Sequence, residues 1–380
     1  MTLRRVAYVG REVPHYRVAL FTELAKRFEF AAYAAKFGMG VSERLKGTTR
    51  SIAGWFPLGL DRYYGWLGDG GVLRTFRPDV LLHEFSLRIA SNHLVSAQAE
   101  RSHARVVWWG HGVPRHGLNG LRGAIRSSAL RRLARTGRAF VTYSKLGKAY
   151  LDDLLAERVP VVEALNTVDS PQLRAALQEI DSSGGRAAMR ELLGAAGDPQ
   201  VVVLARLVPE KRIGPSIEAA LAAAGQEGLV HVIGDGPERE TVKAFRTRAG
   251  SNRIKWWGEV RDEAMLMKIL VCCDALVAAG YLGLSAIHAM FAGLPVIACR
   301  SQDNGPWHAP EVESLNAAGG VWWAPPSPPA MLSALARELL GQRDVLVGAG
   351  LKNRSFAVQN LTLERQVAGI ARAIDLATRE

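Results

Sequence analysis

Long hydrophobic runs are missing from this 380-residue sequence. Its apolar runs, such as residues 201–205 and 275–279, fall far short of the roughly 20 apolar residues that a membrane span needs, so no transmembrane helix is expected. No secretory leader is expected either. Charge returns at Arg11 after five strand-like residues, too few for a signal-peptide core, and a cytoplasmic address is expected. Cysteine is scarce: adjacent Cys272 and Cys273 and a distant Cys299 provide neither a disulfide framework nor the spacing of a metal site, and they read as small hydrophobes. Acidic residues fall behind basic ones, 36 against 48, which leaves a net charge of +12. No repeat or low-complexity tract interrupts the chain.

What is present is a sequence with 48% hydrophobic residues, too apolar for disorder and long enough for two domains. Short β-type runs alternate with longer helical stretches, the pattern of parallel sheets with crossover helices. Strands are expected at 6–9, 29–33, 80–83, 105–109, 140–143 and 161–165, and again at 201–204, 230–233, 254–257, 275–278, 295–299 and 321–323. The fold class is therefore α/β, with two doubly wound Rossmann-like domains. Between Thr167 and Pro199 the punctuation Gly-Gly-Arg and Ala-Ala-Gly-Asp-Pro suits an interdomain connection. The chain divides into a first domain at 1–167, a linker at 168–198, a second domain at 199–360, and a C-terminal helix at 361–380 expected to pack back on the first domain.

Open α/β sheets bind ligands beyond the carboxyl ends of their strands, so the chemistry is sought in the loops that follow them. In VVVLARLVPEKR (201–212), Arg206 and Lys211 follow a buried strand; they can converge on one anion or stand as a solvated pair with Glu210. VIGDGPERE (232–240) places Gly234 in a tight turn before an acidic helix start, a feature many such turns share. AAGYLGLSAIHAMFAGLPVIA (278–298) is more specific: a strand, a loop from Gly280 to Gly283, and a helix over 284–292 stopped by Gly293 and Pro295. Glycines let backbone N–H groups approach a ligand and the helix start adds its positive dipole end, which together make a phosphate cradle; tight strand–helix packing would use the same glycines.

In order and spacing these segments, together with HAPEVESL at 308–315, resemble the family-4 glycosyltransferases of GT-B fold. The second domains of that family read like GRL.peKr, GdGp, EGFGLxxLEAMAxGxPVIA and PE. The resemblance covers about residues 200–325 well and the first half more loosely. It implies two domains facing across a cleft, and transfer of a sugar from a nucleotide-sugar donor held by the second domain to a glycan or lipid-linked acceptor held by the first. No metal and no other cofactor is expected, because fixed cations can stabilise the growing charge of the departing diphosphate. The resemblance assigns Arg206 and Lys211 to the donor diphosphate and Gly283, Leu284 and Ser285 to the backbone cradle, with Gly234 and Gly280 on the same donor side. The sequence departs from the family at two positions: Gly280 and His288 stand where the two glutamates of its Glu-x7-Glu segment are expected. The second glutamate holds the nucleotide ribose, and His288, kept neutral by the positive helix start, is expected to take over by hydrogen bonding. The missing first glutamate leaves the donor-sugar contacts and the stereochemical course open.

In the first half, Arg11, His15 and Arg17 lie in the loop after the first strand and are candidate contacts to donor or acceptor, or a basic surface. VVWWGHGVPRHG (106–117) places His111 just beyond a strand end, where it resembles the family histidine that faces the reacting sugar. Glu84, closing another strand, is a candidate general base or a helix cap. LRGAIRSSALRRLARTGR (121–138) carries Arg122, Arg126, Arg131, Arg132, Arg135 and Arg138 with no acidic residue, and gathers Leu121, Ile125, Leu130, Leu133 and Ala134 on one side. Such a segment suits an anionic membrane surface, or is a solvated basic face. No nucleic-acid module accompanies it. The expected activity is metal-independent glycosyl transfer in cell-surface polysaccharide or glycoconjugate synthesis, peripheral at the cytoplasmic membrane face. A sugar-nucleotide epimerase of the same fold and a catalytically silent sugar-binding homologue are the alternatives.

Overall fold

The computed structural model describes residues 3–379 apart from 39, 46–48, 52–55, 58–63, 66–70, 88, 90–91, 113–119, 195–198, 251, 303–304 and 306. It contains two units, one formed by Met1–Asp169 with Leu363–Glu380 and the other by Ser170–Thr362.

The first unit is built on seven parallel strands in the order Thr49–Ser51, Glu29–Phe37, Arg5–Val13, Val80–Glu84, Arg105–Gly110, Ala139–Thr142 and Val161–Glu163. These strands are apolar without alternation because both faces of the sheet are covered. Val6 and Tyr8 enter one core layer, Ala7 and Val9 the other, and all four are fully buried. The six strands expected in this half are present. The edge strand Thr49–Ser51 was not expected, and three residues are too few to display a period.

The second unit holds six parallel strands in the order Ile254–Gly258, Leu229–Ile233, Gln200–Leu204, Ala275–Ala278, Val296–Cys299 and Val321–Ala324, all of them expected. In each sheet the strand order reverses once. The reversal falls where Arg5–Val13 meets Val80–Glu84 in the first, and where Gln200–Leu204 meets Ala275–Ala278 in the second. Crossovers leave such a point toward opposite faces and open a crevice at the carboxyl edge, which is where each unit can receive a ligand.

Two expectations need correction. Residues 168–198 are not a free linker: Ser170–Ser182 and Gly185–Leu192 are helices of the second unit, packed against the helix Glu263–Cys272. Arg186 and Arg190 both reach Asp274, the latter at 2.9 Å, and Arg190 Nε also donates to the Cys272 carbonyl at 2.9 Å. The glycines that suggested a linker only break one helix from the next, with Gly184 at φ 97°; residues 195–198 lie outside the described residues. The arginine-rich helix Gly120–Ala134 also differs from expectation. Leu130, Leu133 and Ala134 are buried in the core of the first unit, so this part of the apolar side turns inward, whereas Ile125 is exposed. Arg131, Arg132, Arg135 and Arg138 remain exposed, whereas the side chains of Leu121 and Arg122 lie outside the described residues.

The C-terminal helix Leu363–Ala377 belongs to the first unit. Val367, Ile370, Ala373 and Ile374 complete one of its core layers against Leu20, Phe21 and Leu24, and Arg4 pairs with Asp375 at 2.6 Å. Truncating Ile370, which is fully buried, should destabilise this unit by about 2–5 kcal/mol. Urea unfolding of Ile370→Ala should show that shift, and Ile125→Ala, at a side chain 62% exposed, should not.

Candidate functional site

The crevice of the second unit is built by three loops that meet through their backbones. Arg206 follows the strand Gln200–Leu204, and Lys211 closes a short turn, Pro209–Lys211. Gly234, at φ 132°, lies so close to this segment that a Cβ there would overlap the Ala205 carbonyl; the turns are joined by Leu207 N donating to Asp235 O at 2.9 Å. Gly280 is under a tighter constraint. A Cβ at this position would overlap the main-chain carbonyl of Lys211 and the carbonyl oxygen of Glu210, and Tyr281 N donates to Glu210 O at 2.8 Å. Gly234 and Gly280 therefore shape the loop that carries the cations.

Lys211 is held where that packing leaves it. Its Nζ donates to the Tyr281 carbonyl at 2.9 Å and lies 4.3 Å from the centre of the Tyr281 ring. Burial pulls its pKa down to about 8, against the opposing pull of Glu210 and Glu311. Arg206 is exposed and enters no ion pair among the described residues. Opposite them, Gly283 caps the helix Leu284–Phe291, and the amides of Gly283, Leu284 and Ser285 precede any carbonyl four residues back. The positive end of this helix and the Lys211 ammonium, held on the Tyr281 carbonyl just before it, both favour negative charge.

His308, which the sequence reading did not single out, fixes the approach to this helix. Its Nδ1 accepts from Leu282 N at 3.0 Å and its Nε2–H donates to the Cys299 carbonyl at 2.9 Å. Burial lowers its pKa, in keeping with the neutral ring that these two bonds require. Glu311, also missed, is buried at the start of the helix Glu311–Ala318, and its charge is felt by Lys211. The HAPEVESL segment carried the signal for both residues.

At His288 the structure corrects the expectation of a neutral ring. Nδ1 lies 3.0 Å from the Leu284 carbonyl and Nε2 lies 3.0 Å from the Glu263 carboxylate. A carbonyl and a carboxylate both accept, so this arrangement favours a hydrogen on each ring nitrogen and hence the imidazolium. Burial alone would lower its pKa, but the bond to Glu263, its charge and the Leu284 carbonyl outweigh burial and raise it. The helix is also short enough that His288 lies in its last turn, where the dipole favours a cation. Glu263, contributed by the helix Glu263–Cys272 and missed in the sequence, thus brings a carboxylate against His288.

In the first unit Arg11 and Glu84 face each other at the strand-order reversal. The Arg11 main-chain N donates to Glu84 Oε2 at 2.8 Å and its Nε to Oε1 at 2.8 Å, with a second guanidinium contact to the same oxygen. Burial would raise the pKa of Glu84, but these bonds and the charge of Arg11 lower it. A carboxylate held in this way is a weak proton acceptor, which argues against the general-base expectation. His15 is exposed on the turn His15–Arg17. Arg17 does not share the Glu84 pair: its two terminal nitrogens donate to Tyr8 Oη at 2.7 Å and Tyr143 Oη at 2.8 Å. His111 is exposed on the loop after Arg105–Gly110, its ring centre 5.1 Å from that of Tyr143, and Thr142 Oγ1 donates to its carbonyl at 3.1 Å. The structure therefore gathers the nominated residues into two groups, one at each sheet's carboxyl edge.

Residues 198–341 match the family model described as glycosyl transferases group 1. No curated protein matches the sequence significantly. Among solved structures, Anabaena HepE bound to UDP superposes with a TM-score of 0.68 at 15% identity, covering 98% of this chain and 99% of that one. Sucrose-phosphate synthase from Thermosynechococcus elongatus gives 0.67 at 14% identity, with 98% of each chain covered. WaaG, a glycosyltransferase involved in lipopolysaccharide biosynthesis, gives 0.60 at 15% identity, covering 99% of this chain and 100% of that one.

The His288–Glu263 pair predicts a stability signature. A histidine whose pKa is raised on folding contributes fully below its unfolded value near 6.5, and the contribution is lost as pH rises through the folded value. The melting-temperature gap between the parent and Glu263→Gln should be widest below the unfolded value near 6.5 and should narrow as pH rises above it. A gap independent of pH would show that the ring is not charged in the folded protein.

Proposed function

We propose that this chain, a GT-B glycosyltransferase whose second unit is a glycosyl transferases group 1 domain, moves a sugar from a nucleotide-sugar donor to a glycan or lipid-linked acceptor without a metal ion. The observation that carries this reading is the buried ammonium of Lys211 at the second sheet's reversal, beside the open amides of Gly283, Leu284 and Ser285. HepE, of the same fold, has been solved with UDP and with UDP-glucose, which supports a nucleotide diphosphate as the ligand.

In this reading the departing diphosphate gains charge as the glycosidic bond breaks, and Lys211, Arg206 and the helix amides stabilise it. Glu263, oriented by the imidazolium of His288, accepts hydrogen bonds from the ribose hydroxyls. His111 stands on the sugar and acceptor side, with Arg11 and Glu84 locked as a clamp behind it. The exposed arginines of Gly120–Ala134 and the turn after it hold the protein to an anionic membrane surface by charge alone, at the cytoplasmic face where a lipid-linked acceptor for a surface glycan would be found. Among the described residues no helix is long and apolar enough to cross a membrane.

Arg206→Ala and Lys211→Ala should each weaken nucleoside-diphosphate binding by about 1.5–3 kcal/mol in calorimetry and depress transfer, with the fold retained. Binding to the parent should also weaken as pH rises through about 8, where Lys211 loses its charge; in Lys211→Arg that dependence should flatten. Unchanged affinity in both alanine variants would remove the diphosphate assignment.

For the membrane contact, each basic side chain near an anionic surface contributes roughly 1 kcal/mol. Replacing Arg131, Arg132, Arg135 and Arg138 by glutamine should release the protein from phosphatidylglycerol-containing vesicles in sedimentation. Equal sedimentation of parent and variant would leave the arginines as a solvated face.

A further inference from the structure

At the reversal of the first sheet two guanidinium groups stand near one carboxylate. Arg11 takes that carboxylate, binding Glu84 through its main-chain N and its side chain. Arg17 is left with phenols: Tyr8 and Tyr143 accept from it at 2.7 and 2.8 Å, and its guanidinium carbon lies 4.3 Å from the centre of the Trp109 ring. Among the described residues Arg17 forms no ion pair, and its buried Nε has no hydrogen-bond partner. Burial pushes Tyr8 up to about 12 and Tyr143 well above the ordinary phenol range, so both are neutral and supply lone pairs without charge.

The site is constructed to keep this cation in place. Tyr8 and Trp109 are almost wholly buried and meet edge to face at 5.6 Å between ring centres, and Trp109 and Tyr143 lie 5.7 Å apart. The guanidinium is therefore fixed before any ligand arrives. Glu84 offsets this charge only at a distance, its carboxylate being bound directly by Arg11, and a guanidinium largely withdrawn from water with no ion-pair partner of its own still favours an arriving anion. The cage also offers a donor. A phenol oxygen that accepts from Arg17 still carries its own hydrogen, so Tyr143 can donate to the same anion that Arg17 attracts. A planar guanidinium beside a hydroxyl donor suits the oxygens of a phosphate, whereas a neutral glycan hydroxyl has no need of the charge.

We propose that Arg17 and Tyr143 form a phosphate subsite on the first unit, which receives the phosphate of a sugar-phosphate or lipid-phosphate acceptor. This rests on the reading of the first unit as the acceptor side, and it narrows that acceptor to one bearing a phosphate close to the hydroxyl that is glycosylated. The competing source of phosphate is the donor's own diphosphate.

The test titrates the full-length chain with inorganic pyrophosphate in calorimetry, with UDP held at saturation so that the site of the second unit is filled. The parent should still bind pyrophosphate. Arg17→Gln should weaken that binding about tenfold or more, and Tyr143→Phe should weaken it several-fold. Should Arg17→Gln lose its folded melting transition, Tyr143→Phe and Arg17→Lys decide the matter, since each keeps the cage filled and removes one contact. Pyrophosphate binding that is abolished by UDP, or that is equal in parent, Arg17→Lys and Tyr143→Phe, overturns the proposal. Failure of UDP itself to bind would overturn the donor reading of the second unit while leaving the pyrophosphate result on Arg17 interpretable.

Discussion

The donor-side site depends on one close approach, the backbone of Glu210 and Lys211 lying against the Cα of Gly280. That contact excludes any side chain at position 280, where the family pattern has a glutamate. It also brings the Tyr281 carbonyl under Lys211 Nζ, which fixes the ammonium, strips it of water and lowers its pKa. The carboxylate excluded at one position and replaced by histidine at another is supplied by Glu263 from a different helix, across a 3.0 Å bond to His288. An acidic group thus stands beside His288 while the backbone packing leaves no room for one at position 280.

The two units solve the same electrostatic problem differently. Each presents two cations at the reversal of its sheet. In the second unit Arg206 is exposed, while Lys211 is half-buried and only partly opposed by Glu210 and Glu311. In the first, one arginine is neutralised by Glu84 and the other is caged by aromatic rings. A lysine pKa lowered by burial makes the second unit sensitive to pH, whereas a guanidinium stays charged at any working pH.

The sheets were legible because both faces of each strand are covered, so that runs such as 201–204 are apolar without alternation and stand out between helices. Arg206, Lys211 and the glycine loops were legible because they are local: each motif lies within a dozen residues of a strand end. What could not be read were partnerships between distant elements. His288 and Glu263 are 25 positions apart and Arg17 and Tyr143 are 126 apart, and no spacing rule connects either pair. The charge state of His288 was misread for this reason, since a helix-end argument sees only the residue's own helix. The burial of Leu130 and Leu133 was hidden similarly: helical periodicity shows that they share a face but not that a sheet lies beneath it.

The C-terminal helix has a consequence for how the chain is made. All seven strands of the first unit have been synthesised by Glu163, yet the layer that includes Leu20 and Leu24 is incomplete until Leu363–Ala377 emerges. The intervening stretch, about 200 residues, takes roughly 10–40 s at ordinary ribosomal rates. The second unit is being made throughout that interval, so the first, although it leads the chain, can complete its core only after the second has been synthesised.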